Sequence, residues 1–122
     1  MEKKINILIA DDNENYTEHL KIILERNERI KIVGIANTDE EEIKLIEELK
    51  PDAVITDLKR KDKYTGIDVI RKYAEEENSP KFIVVSGDML YHLVRGCSNI
   101  EGYLMKPVDY DRLIDNILRI YE

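Results

Sequence analysis

The chain has a single cysteine, Cys97, so no disulfide can close within it. A lone thiol of this kind reads as a helix or loop residue of a protein kept in a reducing compartment. Glycine and proline are scarce, at 5 and 3 of 122 residues, and 43% of the sequence is hydrophobic, which argues against a disordered chain. No apolar run is long enough to cross a membrane. The opening residues, Met1-Glu2-Lys3-Lys4 and then Ile5 to Ala10, are too short and wrongly built for a secretion signal. The expectation is a soluble cytoplasmic protein without membrane association. Excess positive charge is missing as well, since the formal net charge is -7. Phosphate backbones bind basic patches, so this balance speaks against direct contact with nucleic acid. Linkers, repeats and low-complexity tracts are absent, and the length fits one domain spanning residues 1–122.

What the sequence does contain is an alternation of short apolar runs with amphipathic stretches. Residues 5–10 read as a buried strand bounded by Asp11-Asp12-Asn13. Residues 14–27 read as a helix with Tyr16, Leu20, Ile23, Leu24 and Asn27 on one face. Residues 30–36 form a second strand. Thr38 and Glu41 have capping-box spacing and open a helix that buries Ile43, Ile46 and Leu49 before Pro51. Residues 53–56 are a third strand ending at Asp57. A polar loop, 59–65, leads to Gly66 and a helix carrying Ile67, Val69, Ile70 and Tyr73. After Pro80 come a strand at 82–85, a modest helix at 89–95 and a strand at 102–105. Pro107 precedes a last helix in which Leu113, Ile114, Ile117, Leu118 and Tyr121 share a face. Strands without polar alternation are buried on both sides, which predicts an α/β class: a doubly wound five-stranded parallel sheet with helices on both faces.

In such a sheet the ligand site lies beyond the carboxyl ends of the strands, at a switch in strand order. Asp11 and Asp12 follow the first strand, Asp57 the third, Ser86 the fourth and Lys106 the fifth. Three carboxylates, a hydroxyl and an ammonium are what a hard cation and a phosphoryl group require. Mg²⁺ takes carboxylate, water and phosphate oxygens. Without a cation, two carboxylates about 4 Å apart repel by roughly 4 kcal/mol at an effective dielectric near 20. A carboxylate also serves as a nucleophile, and a metal and a lysine neutralise the charge on a transferring group. Singly, each residue has a plainer reading: Asp-Asp-Asn as a turn and helix cap, Asp57 as a loop acid, Ser86-Gly87 as a turn, Lys106 as a surface lysine. Their joint placement at four strand ends favours a site.

These residues resemble the receiver domain of two-component response regulators over essentially the whole chain. The matching pieces are Leu8-Ile9-Ala10-Asp11-Asp12-Asn13, Val54-Ile55-Thr56-Asp57, Val84-Val85-Ser86-Gly87 and Gly102-Tyr103-Leu104-Met105-Lys106-Pro107. The resemblance implies a flavodoxin-like, CheY-like receiver fold. It implies that Asp57 accepts a phosphoryl group from a sensor histidine kinase or phosphotransfer protein, with the domain assisting its own phosphorylation and dephosphorylation rather than acting as an enzyme. Mg²⁺ (or Mn²⁺) would be bound directly by Asp12, mostly through water by Asp11, and also by Asp57 and the backbone carbonyl of Lys59. Lys106 would pair with phosphoryl oxygens, Ser86 would swing to hydrogen-bond them, and Tyr103 would turn inward behind it. A cis Lys106–Pro107 bond and a readout face of fourth helix, fifth strand and fifth helix are implied too. The stretch around Asp11 is similar to bacterial transcriptional and sporulation regulators.

The sequence departs from the family in three places. The loop after Asp57 lacks the usual proline and carries Lys59, Arg60, Lys61 and Lys63. This reads as a solvated loop, or as a surface for an acidic partner, or as a place where Lys59 and Asp88 flank the phosphoryl group and tune its hydrolysis. The segment between Ser86 and Lys106 is short, which predicts a trimmed fourth helix and puts a family-type dimer through that face in question. The state is expected to be a monomer or a phosphorylation-dependent dimer. Ser86 stands where threonine is commoner, and it keeps the hydroxyl. Three other readings compete: an aspartate-nucleophile phosphatase, which lacks a second acid for a leaving group; a flavin-type cofactor binder, which lacks a phosphate loop after strand one; and a receiver-like interaction module that is never phosphorylated. No effector segment follows the fifth helix, so the expectation is a stand-alone receiver or the receiver half of a longer regulator.

Overall fold

Along Ile5–Ala10 (β1), Ile5, Ile7 and Ile9 turn to one face and Leu8 and Ala10 to the other, and all five are at most 1% exposed. A strand dry on both sides needs helices on each. The computed structural model, which describes residues 3–121, shows these two layers. On one face α1 (Glu14–Leu24) and α5 (Tyr110–Leu118) bury Leu20, Leu24, Leu113 and Ile117 against the isoleucines. On the other, α2 (Asp39–Leu49), α3 (Gly66–Tyr73) and α4 (Tyr91–Val94) bury Ile46, Ile67, Ile70, Tyr73 and Val94 against Leu8 and Ala10. The remaining strands are β2 (Ile30–Ala36), β3 (Ala53–Thr56), β4 (Lys81–Ser86) and β5 (Ile100–Met105).

All strand pairs are parallel, in the order β2-β1-β3-β4-β5. The chain therefore leaves β1 toward one edge and returns on its other side, which makes the β1/β3 boundary the switch point. There Ala10 stands opposite Thr56, and the Asp57 amide donates to the Ala10 carbonyl at 3.0 Å. This register sets Asp11 and Asp57 side by side at the carboxyl edge of the sheet. Asn13 caps α1 by accepting from the Tyr16 amide at 3.0 Å, and Thr38 caps α2 by accepting from the Glu41 amide at 3.1 Å. Glu41 reaches back to the amide of Asn37, one residue before the cap, at 3.2 Å. The Lys106–Pro107 peptide is cis. Among the described residues no helix is long and apolar enough to cross a membrane.

Several expectations are corrected at element ends. Helix α1 stops at Leu24 rather than at 27, because the Asn27 side chain accepts from the Arg29 amide at 2.9 Å and turns the chain toward β2. Leu49, expected to be buried, is 40% exposed. It lies over the edge strand β2, where its Cδ1 rests 3.2 Å from the position a Cβ would take on Gly34. Tyr121 leaves the α5 face because residues Arg119–Tyr121 tighten into a 3₁₀ turn of three residues, which breaks the four-residue stripe. Strand β5 starts at Ile100, two residues earlier than predicted, and a register irregularity beside Phe82 absorbs the difference. The fourth helix is a single turn, as its short segment implied.

Gly66 opens α3 directly behind the end of β3. A Cβ there would lie 2.6 Å from the Asp57 carbonyl oxygen and 2.9 Å from the Leu58 Cα, both fixed backbone atoms. Gly66→Ala is therefore expected to destabilise the fold by about 1–3 kcal/mol, the usual range for forced overpacking. Urea unfolding checks this, and an unchanged midpoint would show that the loop after β3 yields freely.

Candidate functional site

The ammonium of Lys106 stands 3.0 Å from Asp11 Oδ2 and 3.0 Å from Asp57 Oδ2, bridging the ends of β1 and β3. Its own amide donates to the Ser86 carbonyl at 2.8 Å, which extends the β4/β5 ladder one step past the strand and aims the side chain across the edge. The Tyr16 ring, on the first turn of α1, lies 4.3 Å from Nζ and covers the ammonium with its π face. Burial pushes the Tyr16 phenol up to about 12, Lys106 opposes this, and the phenol oxygen has no hydrogen-bond partner among the described residues.

The carboxylates are held from behind by main-chain amides. Asp11 Oδ1 accepts from the Asn13 amide at 2.9 Å, and Asp57 Oδ1 accepts from the Lys59 amide at 3.1 Å. The Asn37 side chain donates to the Asp11 carbonyl at 2.8 Å. Burial raises the Asp11 carboxyl above its ordinary value, with Asn13 and Lys106 pulling it down and the Asp57 charge adding to the rise. Burial alone would depress Lys106, yet the hydrogen bonds and charges of Asp11 and Asp57 together hold it above the usual lysine value.

The structure thus brings Asp11, Asp57 and Lys106 together and leaves Asp12 turned aside. Asp12 is exposed, and its Oδ2 accepts from the Lys61 amide at 2.8 Å. Among the described residues no group of three or more His, Cys, Asp or Glu side chains converges on a metal position as it stands. The chemistry of the donors nevertheless fits a hard cation: the Asp11 and Asp57 carboxylates share a single ammonium, and Asp12, next in sequence to Asp11, is a third oxygen donor, with no soft ligand among them.

Ser86 is fully buried at the end of β4, and its hydroxyl accepts from the Asp88 amide at 3.1 Å. Tyr103 on β5 is half-buried. Its hydroxyl donates to the Asp88 carbonyl at 2.8 Å and accepts from the Leu90 amide at 2.9 Å, while its ring meets Tyr91 edge-on at 5.8 Å. Both side chains therefore bond the same residue, the serine at its amide and the tyrosine at its carbonyl.

The solvated-loop reading of residues 59–63 is corrected at its centre. Lys61 and Lys63 are exposed, but Arg60 is only 6% exposed. Its Nε donates to the Asp57 carbonyl at 3.1 Å, one Nη to Asp39 Oδ1 at 2.8 Å and the other to Thr56 Oγ1 at 2.7 Å. That last nitrogen is also 3.0 Å from Oε1 of Glu42, at an angle unsuited to a hydrogen bond, and neither oxygen of this fully buried carboxyl has another hydrogen-bond partner among the described residues. Above the arginine, Arg60 and Lys63 form a two-residue antiparallel bridge, with Lys61 and Asp62 at φ of 47° and 66°. Left-handed backbone costs a residue with a Cβ about 1–2 kcal/mol, so the tight loop needs its anchors. A sequence signal for this network existed: Glu42 lies one helical turn before buried Ile46, on the dry stripe of α2.

A doubly wound parallel sheet with acids at its switch point and a lysine from the last strand defines a receiver fold. A DNA-binding response regulator of the LuxR family from Staphylococcus aureus superposes with a TM-score of 0.86 at 19% identity, covering 97% of this chain and 99% of that one. The model of the response regulator receiver domain family matches residues 7–118, and the chain belongs to that family. Its members typically bind Mg²⁺ and are not classical enzymes. Relatives include the transcriptional regulatory protein YdfI of Bacillus subtilis, 28% identical over 88% of this chain and 50% of that protein. The transcriptional regulatory protein DegU of Brevibacillus brevis is 29% identical over 95% of this chain and 50% of its own length. The chain spans about half the length of these curated relatives.

Glu42 makes the stability depend on pH. Burial pushes its carboxyl up from an ordinary 4.5 to about 7, with Arg60 opposing and Asp39 adding to the rise. A raised acid binds its proton more tightly when folded, so its contribution is present below the unfolded value and lost as pH rises through about 7. Glu42→Gln carries no charge to lose. It should gain on wild type by about 3 kcal/mol between pH near 4 and pH near 8. Urea unfolding at the two pH values tests this, and parallel curves for the two proteins would show that Glu42 titrates as an ordinary carboxyl.

Proposed function

We propose that this domain, over residues 1–122, is a phosphorylation switch that accepts a phosphoryl group on Asp57 from the phosphohistidine of a sensor histidine kinase or phosphotransfer protein. A carboxylate oxygen of Asp57 attacks phosphorus as the bond to the imidazole nitrogen breaks, and the histidine leaves with the electron pair. Lys106, already paired with Asp57, neutralises charge on the phosphoryl oxygens. Asp11, Asp12 (once released from the Lys61 amide), Asp57 and the Lys59 carbonyl would hold Mg²⁺ (or Mn²⁺), which would supply charge neutralisation and orientation to the transferring group. Ser86 then exchanges its bond to Asp88 for one to the phosphoryl group, and Tyr103, bonded to the carbonyl of that residue, follows. The observation that carries this reading is the Lys106 bridge between Asp11 and Asp57 at the switch point of a receiver sheet.

The relatives are named transcriptional regulators and are about twice as long as the matched segment, which supports reading the chain as the receiver half of such a regulator. The formal net charge of -7 supports leaving contact with nucleic acid to another part of the protein.

The test is intact-protein mass spectrometry after incubation with acetyl phosphate and Mg²⁺. Wild type is expected to gain one phosphoryl group, lost when Mg²⁺ is omitted and absent from Asp57→Asn. No adduct from acetyl phosphate or from phosphohistidine donors would leave an unphosphorylated interaction module as the better reading. Separately, Mg²⁺ at a hundredfold excess over its Kd should stabilise wild type by about 2.7 kcal/mol. Asp12→Ala should remove that gain, and an unchanged Mg²⁺ shift in its melting temperature would put the metal elsewhere.

A further inference from the structure

Three hydrogen-bond acceptors and one further carboxylate, from three parts of the fold, surround the Arg60 guanidinium. Thr56 belongs to β3, the Asp57 carbonyl to the loop that follows, and Asp39 and Glu42 to the first turn and a half of α2. Only a planar fork with several fixed donors can serve all of them together, which a lysine ammonium cannot do. The Asp57 carbonyl is wedged tightly: Arg60 Nε donates to it from one side, and the α carbon of Gly66 leaves no room for even a methyl group on the other. With that carbonyl fixed, the next peptides are fixed too. The Lys59 amide faces Asp57 Oδ1, and the Lys61 amide faces Asp12 Oδ2.

We infer that Arg60 is a positioning residue for the acceptor site, tying the backbone of Asp57 to Lys59 onto α2 so that the Asp57 carboxylate and the Lys59 carbonyl stand where cation and phosphoryl group need them. This rests on the function proposed above. The loop has no proline to stiffen it, and a pyrrolidine ring could not adopt the φ of 47° at Lys61. Rigidity that a ring would supply locally comes here from a side chain anchored in a neighbouring helix. Arg60 touches neither of the reacting groups; it acts through the main chain.

The experiment compares wild type, Arg60→Lys and Asp39→Asn by two readouts: Mg²⁺ affinity from calorimetry, and hydrogen exchange of the Lys59 and Lys61 amides without metal. Arg60→Lys keeps the charge and loses the fork. Its Mg²⁺ Kd is expected to rise about tenfold or more, as when a group supporting a metal ligand is removed. Its Lys59 and Lys61 amides are expected to exchange about tenfold faster, the equivalent of one lost hydrogen bond to a charged group. Asp39→Asn, cut at the partly exposed end of the network, should move both readouts the same way by less, and decides the matter if Arg60→Lys does not fold. Wild-type Mg²⁺ affinity and wild-type exchange in a folded variant would overturn the inference, whatever happened to global stability. If wild type itself binds no Mg²⁺, the metal reading fails on its own account, and the exchange of the two amides alone decides the role of Arg60.

Discussion

Everything at the carboxyl edge depends on one ammonium holding two carboxylates that the sheet forces together. The pairing of Ala10 with Thr56 is set by the hydrophobic register of β1 and β3, and Asp11 and Asp57 have no freedom to move apart without breaking it. Two such charges about 4 Å apart repel by roughly 4 kcal/mol at an effective dielectric near 20. Lys106 answers that repulsion with a 3.0 Å contact to each, and the Tyr16 ring lies 4.3 Å from its ammonium. The arrangement is balanced rather than relaxed, since burial raises the Asp11 carboxyl even with the lysine in place. A site of this kind has charge to spare for a further cation.

A second cation works on the opposite side of the same strand end. Lys106 meets the side chain of Asp57, while Arg60 meets its main-chain carbonyl and the hydroxyl of the preceding Thr56. The two play different parts because their surroundings differ. Lys106 is partly open to solvent and ends on groups that a ligand can contact, whereas Arg60 is sealed under its loop and ends on α2. Helix α2 is thereby joined to the loop after β3, although its hydrophobic face alone would join it only to the sheet.

Much of this was legible in the sequence, for a physical reason. Apolar runs without polar alternation mark strands covered on both faces, and turn residues mark where each run stops. Asp11, Asp57, Ser86 and Lys106 each follow or end an apolar run, which predicts one edge of one sheet for them, and the structure sets them there. Local patterning failed where a neighbour decides. Leu49 continues the stripe of α2 but overhangs an edge strand, and Tyr121 falls where the helix changes pitch. Arg60 was hidden among Lys59, Lys61 and Lys63, because burial of a loop charge depends on partners distant in sequence. Asp39 and Glu42 lie 21 and 18 positions away, and only the buried register of Glu42 hinted at them.

Asp88 lends its amide to Ser86 and its carbonyl to Tyr103, so a single peptide neighbourhood serves as a shared hinge pin for two side chains on two strands. Withdrawing the serine hydroxyl would release the half-buried Asp88 amide to another acceptor. The loop must then re-form around a new partner, which also disturbs the tyrosine seated on its carbonyl. Under the proposed switch, an event at Asp57 would reach β5 through the exchange of one hydrogen bond, with no need for the sheet itself to bend.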